Sequence, residues 1–447
     1  MSIGRNMTAL AVGLTAAGVI KAAEQDGRSL DVYVGAVRTD NVRRDDRNKE
    51  SEVVATVGTD FTYSRHRPRF VADIDGDLQY YTYLDNTYGD ELGGGVSGEA
   101  RYRFVPERLE WLFQENFGQV RIDPFTAVTA TNRENINYFT TGPEASIALG
   151  QETALRLNGT YSNVAYEVSP FDNDRLGGGL SLVRRVSGSA VGSLNARYET
   201  VEFDAPELTG GDYDRTEFYG RYDFTRARTT FTLDAGYAEL KDDFGSSSGT
   251  LARLDVMRQL SPSMSLRLTV GQQFSDAGDI FRQLQGTRGL TIDADSVQAS
   301  TEPFESRYGT VAWSFDRVRT GFGASASYFE EDYQVTDASD RNRQFFDGYV
   351  RRTLSPQLAV QLLGSYSKED FVAANQDFDE LQLNFITRWM FSRDLAASIE
   401  YARFKRSEQD REGNISENRL WLRVSYTVFM REGARRSNTL DRAFDSF

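Results

Sequence analysis

One histidine, His66, and no cysteine stand in a chain of 447 residues. Hydrolysis through an activated nucleophile or water usually needs a histidine to take and return the proton. His66 lies in "YSRHRPRF", within the short turn marked by Pro68, which the alternation of short turns and long loops places in the periplasm. No HExxH, GxSxG, phosphate-cradling glycine loop or EF-hand spacing accompanies it. "DNDR" (172–175) and "GGDYD" (210–214) read as ordinary solvated acidic loops, with weak binding of cations that bridge lipopolysaccharide as the alternative. The absence of cysteine excludes disulfides and thiolate metal sites. The residue types therefore point away from an enzyme, a metal centre and a bound cofactor.

What remains in quantity is charge. The chain carries 51 Lys and Arg against 66 Asp and Glu, a net charge of −15, which disfavours nucleic acid as a partner. Arginine offers a planar fork suited to carboxylates, so the placement of the arginines decides their use. In "SPSMSLRLTVGQQF" (261–274), Met264, Leu266, Leu268 and Val270 alternate with Ser265, Arg267 and Thr269. In an extended chain these sets point to opposite faces.

The alternation recurs along the sequence. Leu155 and Leu157 oppose Arg156; Phe231, Leu233 and Tyr237 oppose Asp234; Tyr102 and Phe104 oppose Glu99, Arg101 and Arg103. Leu381, Leu383, Phe385 and Trp389 oppose Asn384 and Arg388, and Ile399 and Tyr401 oppose Glu400. The period is two, that of a strand with one apolar face. Short turns (near Pro68, Pro106, Gly188, Pro262 and Pro356) alternate with polar loops at 41–50, 122–133, 204–213, 241–249, 276–303 and 407–416. Brief turns at one end and longer loops at the other are the pattern of a transmembrane barrel with periplasmic turns and extracellular loops.

The expected fold is all-β: a closed antiparallel transmembrane β-barrel of roughly 20 strands. It falls to about 18 if the weak segments around Val32 and Phe139 are not strands. Expected strands of about ten to fourteen residues exceed those of a soluble sandwich. Aromatic pairs near strand ends (Tyr102 and Phe104, Trp111 and Phe113, Tyr222 and Phe224, Trp313 and Phe315, Trp389 and Phe391) suit an interfacial girdle. The mean hydropathy of −0.51 argues against a helical membrane protein.

The expected organisation is a signal peptide at 1–22, a short lead at 23–29, the barrel at 30–429 and a polar tail at 430–447. Arg5, the apolar run from Met7 to Ile20, and Ile20 and Ala22 before the cleavage point carry the signal reading. The last strand, "LWLRVSYTVF", resembles the C-terminal signal read by the barrel-assembly machinery, although it does not close the chain. The expected location is the cell outer membrane, among lipid and lipopolysaccharide.

A midplane arginine facing lipid costs about 2–4 kcal/mol, so Arg267 is expected inside, with Met264, Leu266, Leu268 and Val270 on acyl chains. The same parity sends inward Glu99, Arg101, Arg103, Arg156, Arg197, Glu199, Arg221, Asp223, Asp234, Arg253, Asp255, Arg388, Glu400 and Arg423. They form either a self-satisfying charge network or a path for anionic and hydroxyl-rich solutes. About 20 strands tilted near 40° enclose roughly 40 Å between backbones, more than side chains fill. The lumen therefore conducts or is plugged. The long 276–303 loop is the candidate constriction, with Asp293 and Asp295 placed to meet lumen arginines; projection outward is the alternative.

Several segments carry a resemblance. "VRTDNVRR" (37–44), "RLEWLFQENFGQ" (108–119), "TNRENINYFTTGPEASIALG" (131–150) and "DNDRLGGGLSLVRRVS" (172–187) are similar to type 2 β-barrel porins, outer-membrane barrels encoded with exopolysaccharide or exosortase systems. The resemblance covers about residues 30–429. It implies a part in exporting a surface polysaccharide with separate periplasmic partners, and it supplies no site residues. A general or solute-selective uptake porin, or a non-conducting structural or adhesive barrel, are the alternatives.

Overall fold

The computed structural model describes residues 26–206, 211–242, 245–285, 297–334, 339–371, 376–408 and 414–431. The expected signal segment at 1–22 and the tail beyond residue 431 lie outside these residues.

Twenty strands follow one another along the chain. They are β1 (Gly27–Thr39), β2 (Glu52–Arg67), β3 (Phe70–Tyr83), β4 (Glu91–Val105), β5 (Leu109–Arg121), β6 (Arg133–Ala148) and β7 (Thr153–Tyr166). Next come β8 (Asn173–Ser187), β9 (Ala190–Phe203), β10 (Tyr213–Arg226), β11 (Thr229–Asp242), β12 (Ser246–Ser261) and β13 (Met264–Ser275). After a helix, α1 (Ala277–Gln285), come β14 (Phe304–Arg317), β15 (Thr320–Tyr333), β16 (Arg341–Ser355), β17 (Leu358–Phe371), β18 (Gln376–Met390), β19 (Leu395–Glu408) and β20 (Asn414–Arg431). Each strand pairs antiparallel with the next. β1 pairs with β20 from Arg28↔Arg431 to Thr39↔Arg419, which closes the sheet. Closure satisfies every ladder without an edge, the condition for strands to cross a bilayer.

The weak segments around Val32 and Phe139 are strands β1 and β6. The barrel starts at Gly27 and ends at Arg431, slightly wider than 30–429. Strands run from 12 to 18 residues, longer than expected. The reason lies at the rim: pairing continues through polar residues once the wall leaves the lipid. Thus most of the expected loop at 241–249 is strand, with β11 reaching Asp242 and β12 starting at Ser246. The expected loop at 407–416 shrinks in the same way, between Glu408 and Asn414.

The outer face is apolar. Leu180, Leu182, Leu233, Leu266, Val270, Val311, Leu362, Leu383, Phe385, Leu422 and Val424 are all exposed there. Toward the short turns, Tyr102, Phe104, Tyr222, Trp389 and Phe391 are exposed, a girdle at the periplasmic interface. A second girdle circles the loop end with a repeated tie, in which an outward tyrosine hydroxyl donates across to the chain entering the next strand. Tyr80 reaches Asp90 (3.1 Å), Tyr161 Asp174 (2.8 Å), Tyr198 Asp214 (2.7 Å), Tyr328 Asn342 (3.0 Å), Tyr366 Asp379 (3.0 Å) and Tyr401 Asn418 (2.8 Å). The ring stays in the apolar belt while its hydroxyl is satisfied at the edge of water. Inside the wall, the Tyr33 and Tyr308 rings lie flat over Gly58 and Gly271, where any Cβ would collide with them.

Candidate functional site

The lumen has two parts with different chemistry. Toward the periplasm, most inward arginines remain partly exposed, while Asp234, Glu400 and Arg423 are buried, and the charges neutralise one another within one or two strands. Arg101 on β4 donates to Glu99 (2.6 Å), Glu110 on β5 (2.8 Å) and Glu144 on β6 (2.5 Å), and Arg103 lies 3.4 Å from Glu110. Arg221 on β10 grips Asp234 on β11 with two bonds, 2.6 and 2.8 Å, and Arg253 on β12 adds a third at 2.9 Å. Arg267 on β13 donates to Asp255 on β12 at 2.9 Å, and Thr269 donates to the same oxygen at 2.9 Å. Asp255, one strand away, is the neutralising group absent from the arginine's own segment. Asp223 accepts from Thr232 (2.9 Å) and Glu400 from Asn384 (2.9 Å), while Arg197 lies 3.6 Å from Glu217. Arg423 stacks over Tyr33 (3.9 Å) and Trp421 (4.8 Å) and lies 3.8 Å from Asp60.

Arg156 on β7 and Arg388 on β18 have no carboxylate within ion-pairing distance among the described residues. Met264 and Leu268 are half-buried on the face where Leu266 and Val270 are exposed. His66 lies in the last residues of β2, paired with Val71, rather than in the turn itself, and its Nε2 is 3.0 Å from Asp73.

The outer part is packed. The first part of the connection after β13, residues 276–285, turns inward against the lumen faces of neighbouring strands. Asp276 caps α1, accepting the Asp279 N–H at 2.9 Å. Its carboxylate is gripped by both terminal nitrogens of Arg175 on β8 (2.9 and 3.1 Å) and by the Tyr213 hydroxyl of β10 (2.7 Å). Asp279 accepts from Arg215 on β10 (2.7 Å) and from Arg282 (3.0 Å). Burial raises the Asp279 carboxyl, but Arg215, Arg282 and Arg175 outweigh it and hold the group well below the usual carboxylate range. Phe281, fully buried, packs with Ile280 into Val120, Ile136, Tyr138, Val164 and Tyr166 of β5, β6 and β7. Residues 297–299 then bridge to the end of β5: Arg121 N–H donates to Val297 O, and Ala299 N–H to Arg121 O, both at 2.9 Å. Asp293 and Asp295 lie outside the described residues.

A second connection, 122–132, crosses from the opposite side. Phe125 packs on Phe371 of β17 with ring centres 4.6 Å apart, and its carbonyl accepts from Arg406 of β19 at 2.6 Å. Around the rim, Glu331 on β15 accepts from Arg341 (2.7 Å) and from Arg343 on β16, and Glu417 on β20 accepts from Arg419 (2.6 Å) and Arg44 (2.9 Å). A cleft of about 440 Å³ opens beside this seal, lined by Arg43, Arg44, Asp45, Asp123, Thr126 and Asn132 among others.

"DNDR" is therefore no solvated loop: Asn173, Asp174 and Arg175 open β8, and Arg175 is only 3% exposed. In "GGDYD", Tyr213 and Asp214 open β10, with Tyr213 facing inward on Asp276. The sequence reading passed over Arg121, Arg175, Arg215, Arg341, Arg343 and Arg406 because they stand at rim ends, where apolar alternation fades. The one signal for them was arginine on the inward parity of each strand, continued past the last apolar residue. Among the described residues, no group of three acidic or histidine side chains is placed to hold a metal ion. This arrangement can bind anions and hydroxyls by exchanging hydrogen bonds.

No family model and no curated protein matches the sequence. Solved structures do. The siderophore receptor PirA from Acinetobacter baumannii is 8% identical, with 90% of this chain and 80% of that chain covered and a TM-score of 0.50. OccK2 (OpdF) from Pseudomonas aeruginosa, solved with glucuronate, is 13% identical, with 91% and 99% covered and a TM-score of 0.41. At such identities likeness extends to the fold alone. Together with an exposed apolar belt between two aromatic girdles, it makes this chain a closed antiparallel β-barrel of the outer membrane.

Proposed function

We propose that the protein is a passive outer-membrane channel that takes up an exopolysaccharide from the periplasm and passes it to the cell surface. The observation that carries this reading is the asymmetry of the lumen. Toward the periplasm, Arg101, Arg221, Arg253 and Arg267 have side chains 14–25% exposed. Toward the surface, Arg121, Arg175, Arg215 and Arg406 are 0–7% exposed beneath the infolded connections. A hydrophilic chain has room to enter from within, and the seal faces the direction of exit. Serial weak contacts with arginine forks and tyrosine hydroxyls let such a solute move without coupled energy. The polysaccharide itself is suggested by the segments between Val37 and Ser187 that resemble exopolysaccharide-associated porins. In this reading separate periplasmic proteins deliver the chain, lipopolysaccharide surrounds the barrel, and the barrel-assembly machinery inserts it through "LWLRVSYTVF".

The cleft over Arg43, Asp45 and Asn132 supports a second reading, an uptake porin fed from outside. Deleting the gene separates the two. Export requires loss of surface polysaccharide with unchanged permeability to small solutes. Slowed uptake of a small solute with surface polysaccharide intact contradicts it and favours the porin. A reconstituted barrel that passes no current in any condition contradicts both.

A further inference from the structure

Toward the periplasm the wall neutralises itself: Arg101, Arg221, Arg253 and Arg267 all find their carboxylates on strands of the wall, at most two strands away. Arg175 does not. Among the described residues, its only carboxylate partners within 4 Å are Asp276 (2.9 Å) and Asp279 (3.9 Å), both on the infolded connection. From the wall it receives only neutral company, the Asn173 side-chain oxygen at 2.8 Å and the face of Tyr138 at 5.2 Å. Arg215 is intermediate, sharing Glu199 of the wall with Asp279 of the connection. Were α1 to leave, Arg175 would face the lumen as an uncompensated, oriented guanidinium with the Tyr213 hydroxyl beside it. Leaving a buried charge unpaired is costly, so the wall at this point is built around a carboxylate that it does not itself supply.

We propose that Arg175, Tyr213 and Arg215 form a carboxylate-binding site in the lumen wall. Asp276 and Asp279 occupy it as internal ligands, and a solute bearing carboxylates, such as an acidic saccharide, displaces them. Two-pronged geometry is the reason for the chemical class: Arg175 meets both oxygens of Asp276 in parallel, a fit that neutral sugars lack. Displacement unseats α1 and opens the outer part of the lumen, so the solute unlocks its own exit. This consequence rests on the channel reading above; the binding site does not.

The test uses the full chain, with digalacturonate as probe and lactose as the neutral control. Calorimetry in detergent measures binding, and heat-modifiable gel mobility shows that each variant is folded. The D276N/D279N double variant frees the site and is expected to bind digalacturonate at least tenfold more tightly than the unsubstituted chain. Adding Arg175→Gln to that variant is expected to abolish the gain. Adding Tyr213→Phe instead, which keeps the wall's shape, is expected to weaken binding several-fold. Lactose is expected to bind none of them. Equal affinity of D276N/D279N and the unsubstituted chain, or a gain that survives both Arg175→Gln and Tyr213→Phe, would overturn the site. In planar bilayers digalacturonate is expected to raise the open fraction of the unsubstituted channel. A conducting channel indifferent to digalacturonate overturns the displacement while leaving the channel reading intact. No current from any variant sinks the channel reading, and calorimetry still decides the site.

Discussion

Arg121 and Glu380 meet at 3.6 Å although one ends β5 and the other stands on β18. The same guanidinium lies 3.9 Å from Glu369 of β17, and its backbone holds residues 297–299. One residue thus ties two walls of the barrel to the infolded connection, and the outer seal acts as a single packed unit. Interlocked elements of this kind are bistable more readily than they are gradually deformable.

Phe281 anchors α1 in its pocket. Phe281→Ala removes a fully buried ring and is expected to cost about 3–5 kcal/mol of seating energy. The loss falls on the connection, because no strand pairing depends on that ring. Planar-bilayer recording is expected to show a larger open fraction, while urea unfolding of the barrel in vesicles shifts little. An unchanged open fraction would mean that α1 does not limit passage.

Glu331 answers two buried arginines, Arg341 at 2.7 Å and Arg343. Glu331→Gln keeps the shape and removes the charge, which leaves two cations with too little compensation. Breaking a buried pair in this way costs about 3–5 kcal/mol. The expected readout is a lower urea midpoint by tryptophan fluorescence; a midpoint within error of the parent would show that water already screens these groups.

Acid is expected to release the seal late. Asp279 has its carboxyl held below the ordinary value, so its contribution is complete above the unfolded value of about 3.9. It is lost only as pH falls through the lower folded value. The open fraction should therefore stay flat from pH 8 to about 5 and rise below about 3.9. In Asp279→Asn that acid transition should disappear. A rise centred near pH 6 would assign gating to another group.

Parity within the wall sets the cost of a new charge. Leu268→Arg puts a cation in the middle of β13 on the apolar face and is expected to destabilise the barrel by about 2–4 kcal/mol. Thr269→Arg, one residue on, faces the lumen beside Asp255 and is expected to cost far less. Equal unfolding midpoints for the two would contradict a lipid-facing outer surface.

The sequence made the fold legible because the bilayer enforces a strict rule on every strand. Alternation such as Leu266–Arg267–Leu268 marks a strand and separates its faces, and Pro262 or Pro356 marks a turn. Even the weak segments around Val32 and Phe139 obey it. Pairing was not legible. That Arg267 meets Asp255, or Arg101 reaches Glu144 two strands away, follows from register and twist, which no single strand encodes. The seal was hidden for another reason. Arg175 sits in an acidic-looking stretch, and its partner Asp276 lies 101 positions away, so local reading saw a solvated loop and, separately, a candidate constriction. Only burial shows that they belong together.

Lipid wraps this wall, and the charges face an enclosed aqueous space. The chain has no cysteine, so single cysteines at 264–270 need no prior removal of others. Nitroxide labels at these positions, in reconstituted vesicles, can be probed with oxygen, which partitions into lipid, and a water-soluble nickel chelate. A lipid-facing wall gives a period of two, with oxygen favoured at 264, 266, 268 and 270 and nickel at 265, 267 and 269. Oxygen favoured at 267 as strongly as at 266, or no alternation at all, would contradict it.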